Sequence, residues 1–394
     1  MMTVEAPTVR RDEPSDALAW IRAALWSVDA DVDLVPVDRG DPRATWLARP
    51  NSAAPELLVP LGSARAAGAV SRRFWDGMSP ARRARQWAGE AALRTGLAQR
   101  LWPGRIALLG AAADVDDPDR SLLARLAVLL DEPRLLAAVT ARPTHYNAKP
   151  VLQLFAPGGR AVAFAKVAVD EVSAAYVHTE IDWLDRAAGA PRPLRAPRLL
   201  ATLEWQGRPV AVLEPLDLPR LPRRAPGWAR EAVADAVTAL GHRTVVAVAE
   251  TGPVQRVRAE TTTAVDPGLV ALADGIVERH GTATVEVGPW HGDLSPWNTA
   301  SRHDEVLVWD WELAGEGMPV GSDLRHEAVM VATHLRGHRA AAALAPLDPD
   351  DPAVALYLLE LARRDRHAAR AGRTDAEHGL GVAAAARLLR AWGG

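Results

Sequence analysis

The chain has 394 residues, 48% hydrophobic and 24% charged, with a formal net charge of −3. Its length exceeds the usual single domain and suits two or three lobes. The charge balance offers no bulk attraction to nucleic acid or anionic lipid, no apolar run approaches the roughly 20 residues of a membrane span, and cysteine is absent, which excludes nucleic-acid binding by bulk charge, helical membrane spans, disulfides and thiolate metal sites.

The start, MMTVEAPTVRRDEPSD, lacks the apolar core and cleavage site of a secretory signal. A reducing cytoplasm fits the missing cysteine. Of 46 basic residues, 44 are arginine and two, Lys149 and Lys166, are lysine. A chain with that preference is expected to keep lysine where a compact point charge must fit a crowded site, because arginine presents a planar fork instead.

Residues 1–133 form the first region. Ser15 to Trp26 reads as a helix, Asp33 to Val37 and Glu56 to Leu61 as short strands, and Ala64 to Leu101 as arginine-rich helices. Leu122, Leu123, Leu126, Leu129 and Leu130 form a helical stripe that Pro133 ends. No chemistry is legible here, and the region is an N-terminal α/β extension of unknown role.

Residues 134–216 read as an antiparallel sheet with one helix. Leu135 to Ala141 and Val151 to Phe155 are β-like, and the turn Pro157-Gly158-Gly159 leads into Ala161 to Val169. Lys166 shares one face of that last strand with Val162 and Phe164, so its ammonium is expected to point into an enclosed, largely apolar face. Asp170 can cap a helix running to about Ala188, before Gly189 and Pro191. Val172, Tyr176, Glu180, Trp183 and Ala187 fall on one helical face. Glu180 is then a carboxylate inside an apolar stripe and needs a partner; Lys166, fourteen residues earlier, is the first choice. Glu171, the competing partner, is explained by the helix macrodipole alone. Arg198 to Trp205 and Pro209 to Leu213 give two more strands, and Glu214-Pro215-Leu216 opens the connection to residues 217–394, a mainly helical region interrupted by one motif.

That motif lies between Val285 and Arg325. His291-Gly292-Asp293 is followed by Asn298 five residues after the aspartate, and by Asp310 seventeen residues after it, at the end of the apolar run Val306 to Trp309. Phosphoryl transfer needs this inventory: a carboxylate at the attacking hydroxyl and hard oxygen ligands that hold magnesium against phosphates. Asp293 suits the first task, and Asn298 with Asp310 the second. Gly292 permits a tight turn and Pro296 stiffens the loop. His291 is read as fixing the loop by hydrogen bonding rather than moving protons. Asp323 is either a helix cap or a brace for the loop, and Glu312 either touches a second metal or faces solvent. Trp290, Trp297, Trp309 and Trp311 are expected to pack around the site. His334 and His338, four apart, lack a third zinc ligand and are read as a solvated helix face.

The pattern His291-Gly292-Asp293, Asn298 and Asp310-Trp311-Glu312 resembles the aminoglycoside phosphotransferase and choline kinase superfamily, relatives of the protein kinases, marked by H-G-D-x-x-x-x-N and then D-[FW]-[ED]. The resemblance implies an α+β, two-lobed protein-kinase-like fold: a small antiparallel-sheet N-lobe and a mainly helical C-lobe, here with the added N-terminal region. It implies a phosphotransferase that uses ATP and Mg2+. In it Asp293 is the catalytic base, Asn298 and Asp310 bind the metal, Lys166 grips the nucleotide phosphates and Glu180 positions that lysine. Glu214 to Leu216 looks like the hinge that meets adenine through its backbone. The expected partner is a small hydroxylated acceptor such as a sugar, amino sugar or amino alcohol.

Two departures stand out. The family's glycine-rich loop is replaced by Pro143-Thr144-His145-Tyr146-Asn147-Ala148-Lys149, so Thr144, Asn147 or Lys149 would have to meet phosphate, and Phe164 replaces the small residue that protein kinases carry under adenine. The choice between ATP and GTP therefore stays open. The rival readings are an inactive kinase-like binding module, against which the four site residues argue, and transfer of a nucleotidyl group, distinguishable by product mass.

Overall fold

The computed structural model describes residues 16–71, 80–141, 148–218, 227–260, 266–370 and 379–392. Thr144 and Asn147 lie outside them. The chain is α+β and divides into two compact units. The first comprises residues 1–71, 89–143 and 149–162; the second comprises 72–88, 144–148 and 163–394.

In the first unit the strands β1 (Val32–Val37), β2 (Ala44–Arg49), β3 (Leu57–Pro60), β4 (Arg105–Gly110), β5 (Leu136–Thr140) and β6 (Val151–Phe155) lie in the order β1-β4-β2-β3-β5-β6, and each neighbouring pair is antiparallel. Leu57 and Leu58 of β3 face Thr140 and Val139 of β5, so the sheet begun by the N-terminal residues continues through β5 and β6. The boundary expected at residue 133 falls inside this unit. Its helices include Asp16–Leu25 and Leu122–Leu129; the second is capped by the Ser121 side chain, which accepts the Ala124 N–H. After β6 the chain turns at Gly159, whose φ of +83° suits the missing Cβ.

The second unit opens with β7 (Ala161–Val167) from Ala163 onward. The helix Glu171–Ala187 starts in a capping box: Asp170 Oδ1 accepts the Ser173 N–H at 2.8 Å, and the Ser173 hydroxyl accepts the Asp170 N–H at 3.0 Å. Ser173 thereby points inward, and the buried face runs through Ser173, Val177, Glu180, Leu184 and Ala187 with Trp183 beside it. Val172 and Tyr176, expected on that face, are half-buried. At about 100° per residue the adjacent stripe took their place once the capping residue was turned in.

Strands β8 (Leu194–Arg195), β9 (Leu199–Trp205) and β10 (Arg208–Leu213) follow; β10 lies between β7 and β9, antiparallel to both. Beyond them the unit is helical but holds more sheet than the sequence suggests. Strands β11 (Thr244–Ala247), β12 (Thr284–Trp290) and β15 (Gly315–Pro319) make one small sheet in the order β11-β12-β15. Strands β13 (Thr299–Arg302) and β14 (Glu305–Val308) form a hairpin, with β8 parallel to β14.

The helix Pro352–Arg370 runs through the core of this unit, with every residue from Val354 to Ala362 buried. It packs with Leu269, Leu272 and Ile276 of the helix Pro267–His280 and with Ala384 and Leu388 of the helix Leu380–Trp392. One of its buried residues is Glu360, which is tolerable because three guanidinium groups meet it. Arg363 lies 2.8 Å away, Arg364 3.0 Å and Arg256 3.2 Å. Burial pushes the Glu360 carboxyl up, but Arg363, Arg256 and Arg364 together hold it well below the usual carboxylate range. Arg364 then reaches outward: its Nη1 donates to the Gly292 carbonyl at 2.8 Å, its Nη2 to the Leu313 carbonyl at 3.2 Å, and its guanidinium covers the Trp290 ring at 4.3 Å. The core helix thus holds the chain on both sides of the β13–β14 hairpin.

Because its folded pKa is depressed, Glu360 contributes stability that is present above its ordinary pKa of 4.5 and is lost as pH falls toward the folded value. Glu360→Gln is expected to lower stability by about 3 kcal/mol at neutral pH, with the gap to the native chain narrowing in acid. Urea unfolding of both proteins at neutral and acid pH checks this; a gap independent of pH would contradict it.

Candidate active site

Strand β7 carries Lys166 opposite Ala211 of β10, with Ala163, Ala165 and Val167 buried. The Lys166 ammonium lies 2.6 Å from Oε2 and 2.7 Å from Oε1 of Glu180, touches Asp310 Oδ1, and is 3.5 Å from Glu312 Oε2. The apolar enclosure expected for this lysine is therefore corrected at its tip, where three carboxylates gather. Glu171 is exposed in the first helical turn. Burial works to lower the Lys166 pKa, but Asp310, Glu180 and Glu312 outweigh it and raise the group well above its ordinary value. Glu180, wholly buried, is pushed up to about 7, because burial exceeds the pull of Lys166 and the charges of Asp310 and Glu312 add to it.

Asp310 reaches this cluster through its backbone. It follows β14 with a φ of +72°, in the left-handed region that aspartate enters more readily than most residues. The hairpin sets its position: the Trp309 N–H donates to the Asn298 carbonyl at 3.1 Å, so Asn298 and Asp310 emerge at the same open end of β13–β14. Glu312 is 3% exposed, which removes the solvent-facing reading.

Strand β12 delivers the loop that carries Asp293. Gly292 has a φ of +83°, and a Cβ there would run into the Leu313 carbonyl oxygen. The Asp323 carboxylate accepts the N–H groups of His291 at 2.8 Å and Gly292 at 3.0 Å. That decides between cap and brace, because its helix, Ser322–Met330, begins at Gly321 with no side-chain cap. Burial raises the Asp323 pKa in spite of His291. The His291 imidazole, completely buried and with its pKa lowered by that burial, accepts the Asp293 N–H on Nδ1 at 3.2 Å and lies edge-on to Trp311 at 4.6 Å. It fixes the loop.

The Asp293 side chain accepts from Asn298 Nδ2 at 2.8 Å on Oδ2, and His326 Nε2 stands 3.3 Å from Oδ1. A carboxylate only accepts, so the Asn298 amide nitrogen faces Asp293 and its amide oxygen is the atom that would meet a cation. Oxygens of Glu180, Asp310 and Glu312 lie within 4.8 Å of one another, where the Lys166 ammonium meets all three, and the Asn298 amide oxygen is a further hard donor at the same end of the hairpin; oxygens of this kind suit a hard divalent ion.

Glu214 and Leu216 follow β10 directly. The Glu214 carboxylate accepts from both Arg195 and Arg198, which hold its pKa below the usual range against the effect of burial. Leu216 is buried. Lys149 is also buried, in the first unit. Of the four motif tryptophans, Trp290 and Trp311 are buried and Trp309 half-buried, while the Trp297 ring lies tilted against His334 with the centroids 4.4 Å apart.

No protein-family model matches the sequence, and no curated protein matches it. Among solved structures the chain is similar to amicoumacin kinase hAmiN in complex with AMP-PNP, Ca2+ and Ami, at 11% identity and a TM-score of 0.43, over 68% of this chain and 93% of that one. It is similar to a thermostable mutant of aminoglycoside phosphotransferase APH(4)-Ia in ternary complex with ADP and hygromycin B, at 13% identity and 0.42, over 69% and 99%. The GDP complex of aminoglycoside 2'-phosphotransferase-IIIa gives 13% and 0.37, over 62% and 89%. Likeness at these identities and scores carries no functional inference.

His326 and Arg364 escaped the sequence reading. His326 could have been found, because it lies three residues after Asp323 on a helix and so shares its face. Arg364 had no local signal. Gly292→Ala is expected to lose at least about 2 kcal/mol of stability, since it adds both left-handed strain and a clash with Leu313. Thermal unfolding of the purified variant checks this; an unchanged midpoint would mean that the loop does not take the path described.

Proposed function

We propose that the chain transfers a phosphoryl group from Mg-ATP to a hydroxyl of a small metabolite, a sugar, amino sugar or amino alcohol, with Asp293 as the base. The observation that carries the reading is the placement of Asp293 in hydrogen-bonded contact with Asn298, which the hairpin holds next to Asp310 and its partner Lys166. Asp293 would accept the hydroxyl proton as that oxygen forms its bond to the γ-phosphorus, while the bond from phosphorus to the bridging oxygen breaks and ADP leaves. Asn298 and Asp310 would hold Mg2+, which when bound supplies charge neutralisation at the phosphates.

Lys166 has three N–H donors, shared here among Glu180, Asp310 and Glu312. Glu180 would keep the ammonium in place while phosphate oxygens displace the contacts to the other two. The segment from Glu214 to Leu216 would meet the adenine through its backbone, the arginines on Glu214 fixing its course. In this reading the segment from Lys166 to Leu216 supplies the nucleotide contacts and residues 217–394 supply the catalytic and metal loops.

ADP release from Mg-ATP, followed against a panel of hexoses, amino sugars and amino alcohols, tests the proposal. Asp293→Asn is expected to lower acceptor-dependent release by at least about a hundredfold while leaving nucleotide binding in place. Unchanged turnover on the active acceptor would overturn the assignment.

A further inference from the structure

Asp293 Oδ1 does not end its chain of contacts at His326. That histidine, 5% exposed on the helix Ser322–Met330, places Nδ1 3.1 Å from the hydroxyl of Tyr357, a fully buried residue of the core helix Pro352–Arg370. The two rings lie edge to face at 6.2 Å. Since a carboxylate only accepts, His326 donates from Nε2, and its Nδ1 then accepts the Tyr357 O–H. Burial raises the tyrosine pKa well above its ordinary value, so the hydroxyl keeps the proton it donates.

We propose that His326 is a positioning residue for Asp293, with Tyr357 setting its tautomer. The inference rests on the reading of Asp293 as the base. Asn298 holds one carboxylate oxygen and His326 the other. Two donors on two oxygens fix the carboxylate plane; one alone leaves it free to swivel about the Cβ–Cγ bond. Each oxygen keeps a second lone pair, so the acceptor hydroxyl meets a carboxylate already turned toward it. Tyr357 does this work from the buried stretch of the helix Pro352–Arg370, where solvent does not reach it.

The test compares His326→Leu, His326→Gln and Tyr357→Phe with the native chain and Asp293→Asn. ADP release from Mg-ATP is followed with the best acceptor in a panel of hexoses, amino sugars and amino alcohols. His326→Leu is expected to lower kcat at least about tenfold with KM for Mg-ATP unchanged. His326→Gln, whose amide can donate from a similar place, should recover most of that loss, and Tyr357→Phe should fall between. Should the leucine variant fail to fold, Tyr357→Phe, which removes one oxygen from a packed ring, still decides the matter together with the ¹⁵N spectrum. In that spectrum the His326 imidazole, identified by its disappearance in His326→Gln, should carry its proton on Nε2 in the native chain and lose that preference in Tyr357→Phe. Native kcat in Tyr357→Phe and both His326 variants, or a native His326 protonated on Nδ1 alone, would overturn the positioning role while leaving phosphotransfer intact. If no acceptor raises ADP release in the native chain above that of Asp293→Asn, the phosphotransfer reading falls and this role falls with it.

Discussion

One buried ammonium and the three carboxylates around it constrain most of the second unit. Removing Lys166, Glu180 and Glu312 from water costs several kcal/mol each, and the cost is offset only if the partners, with the half-buried Asp310, arrive in good geometry. They come from three places: Lys166 from β7, Glu180 from the following helix, and Asp310 with Glu312 from the turn after β14. The Asp170–Ser173 capping box sets the phase that turns Glu180 inward, and the left-handed backbone at Asp310 turns that carboxylate back toward the strand. An arginine at position 166 would have to fit its planar fork among the same oxygens, which accounts for lysine in a chain that otherwise prefers arginine.

A second set of contacts holds the Asp293 loop, and it is built from backbone groups rather than from side-chain pairs. Asp323 accepts two successive N–H groups of the loop, and Arg364 donates to carbonyls on either side of the hairpin. Both braces stand on helices packed in the core, and Glu360 keeps Arg364 oriented by bonding its Nε. The loop consequently has little freedom at Gly292, where only glycine fits. Ordered backbone of this kind is what preorganisation would require of the base proposed at Asp293, because misplacement by an ångström costs rate steeply.

The sequence made the centre legible because its chemistry is written locally. The spacing from His291 to Asn298 and Asp310 is a single loop and hairpin, and Lys166 was singled out by composition. Glu180 was readable because a carboxylate in an apolar stripe needs a partner. Val172 and Tyr176 lie beside that stripe rather than on it, since hydrophobicity alone does not distinguish two adjacent faces. Strand β4 has no clear signal because RIALLG directly follows the arginine-rich helical segments, and ATWLAR of β2, buried at three successive positions, lacks the alternation of a one-faced strand. The pairing of β3 with β5 across some eighty residues has no local signature. Arg364 and Tyr357 act from a helix more than sixty residues beyond Asp293, and nothing in their immediate sequence marks them.

In the proposed function Lys166 would meet the phosphate end of a nucleotide, and Asn298 with Asp310 would hold a divalent ion. Calorimetric titration of ATP into the native chain and Asp310→Asn, with and without Mg2+, tests this most directly. Binding at one site in the native chain that weakens at least about tenfold, roughly 1.4 kcal/mol, when Mg2+ is withheld is expected, and that dependence should be lost in Asp310→Asn. ATP binding of equal strength with and without Mg2+ in the native chain, or no binding at all, would contradict the account.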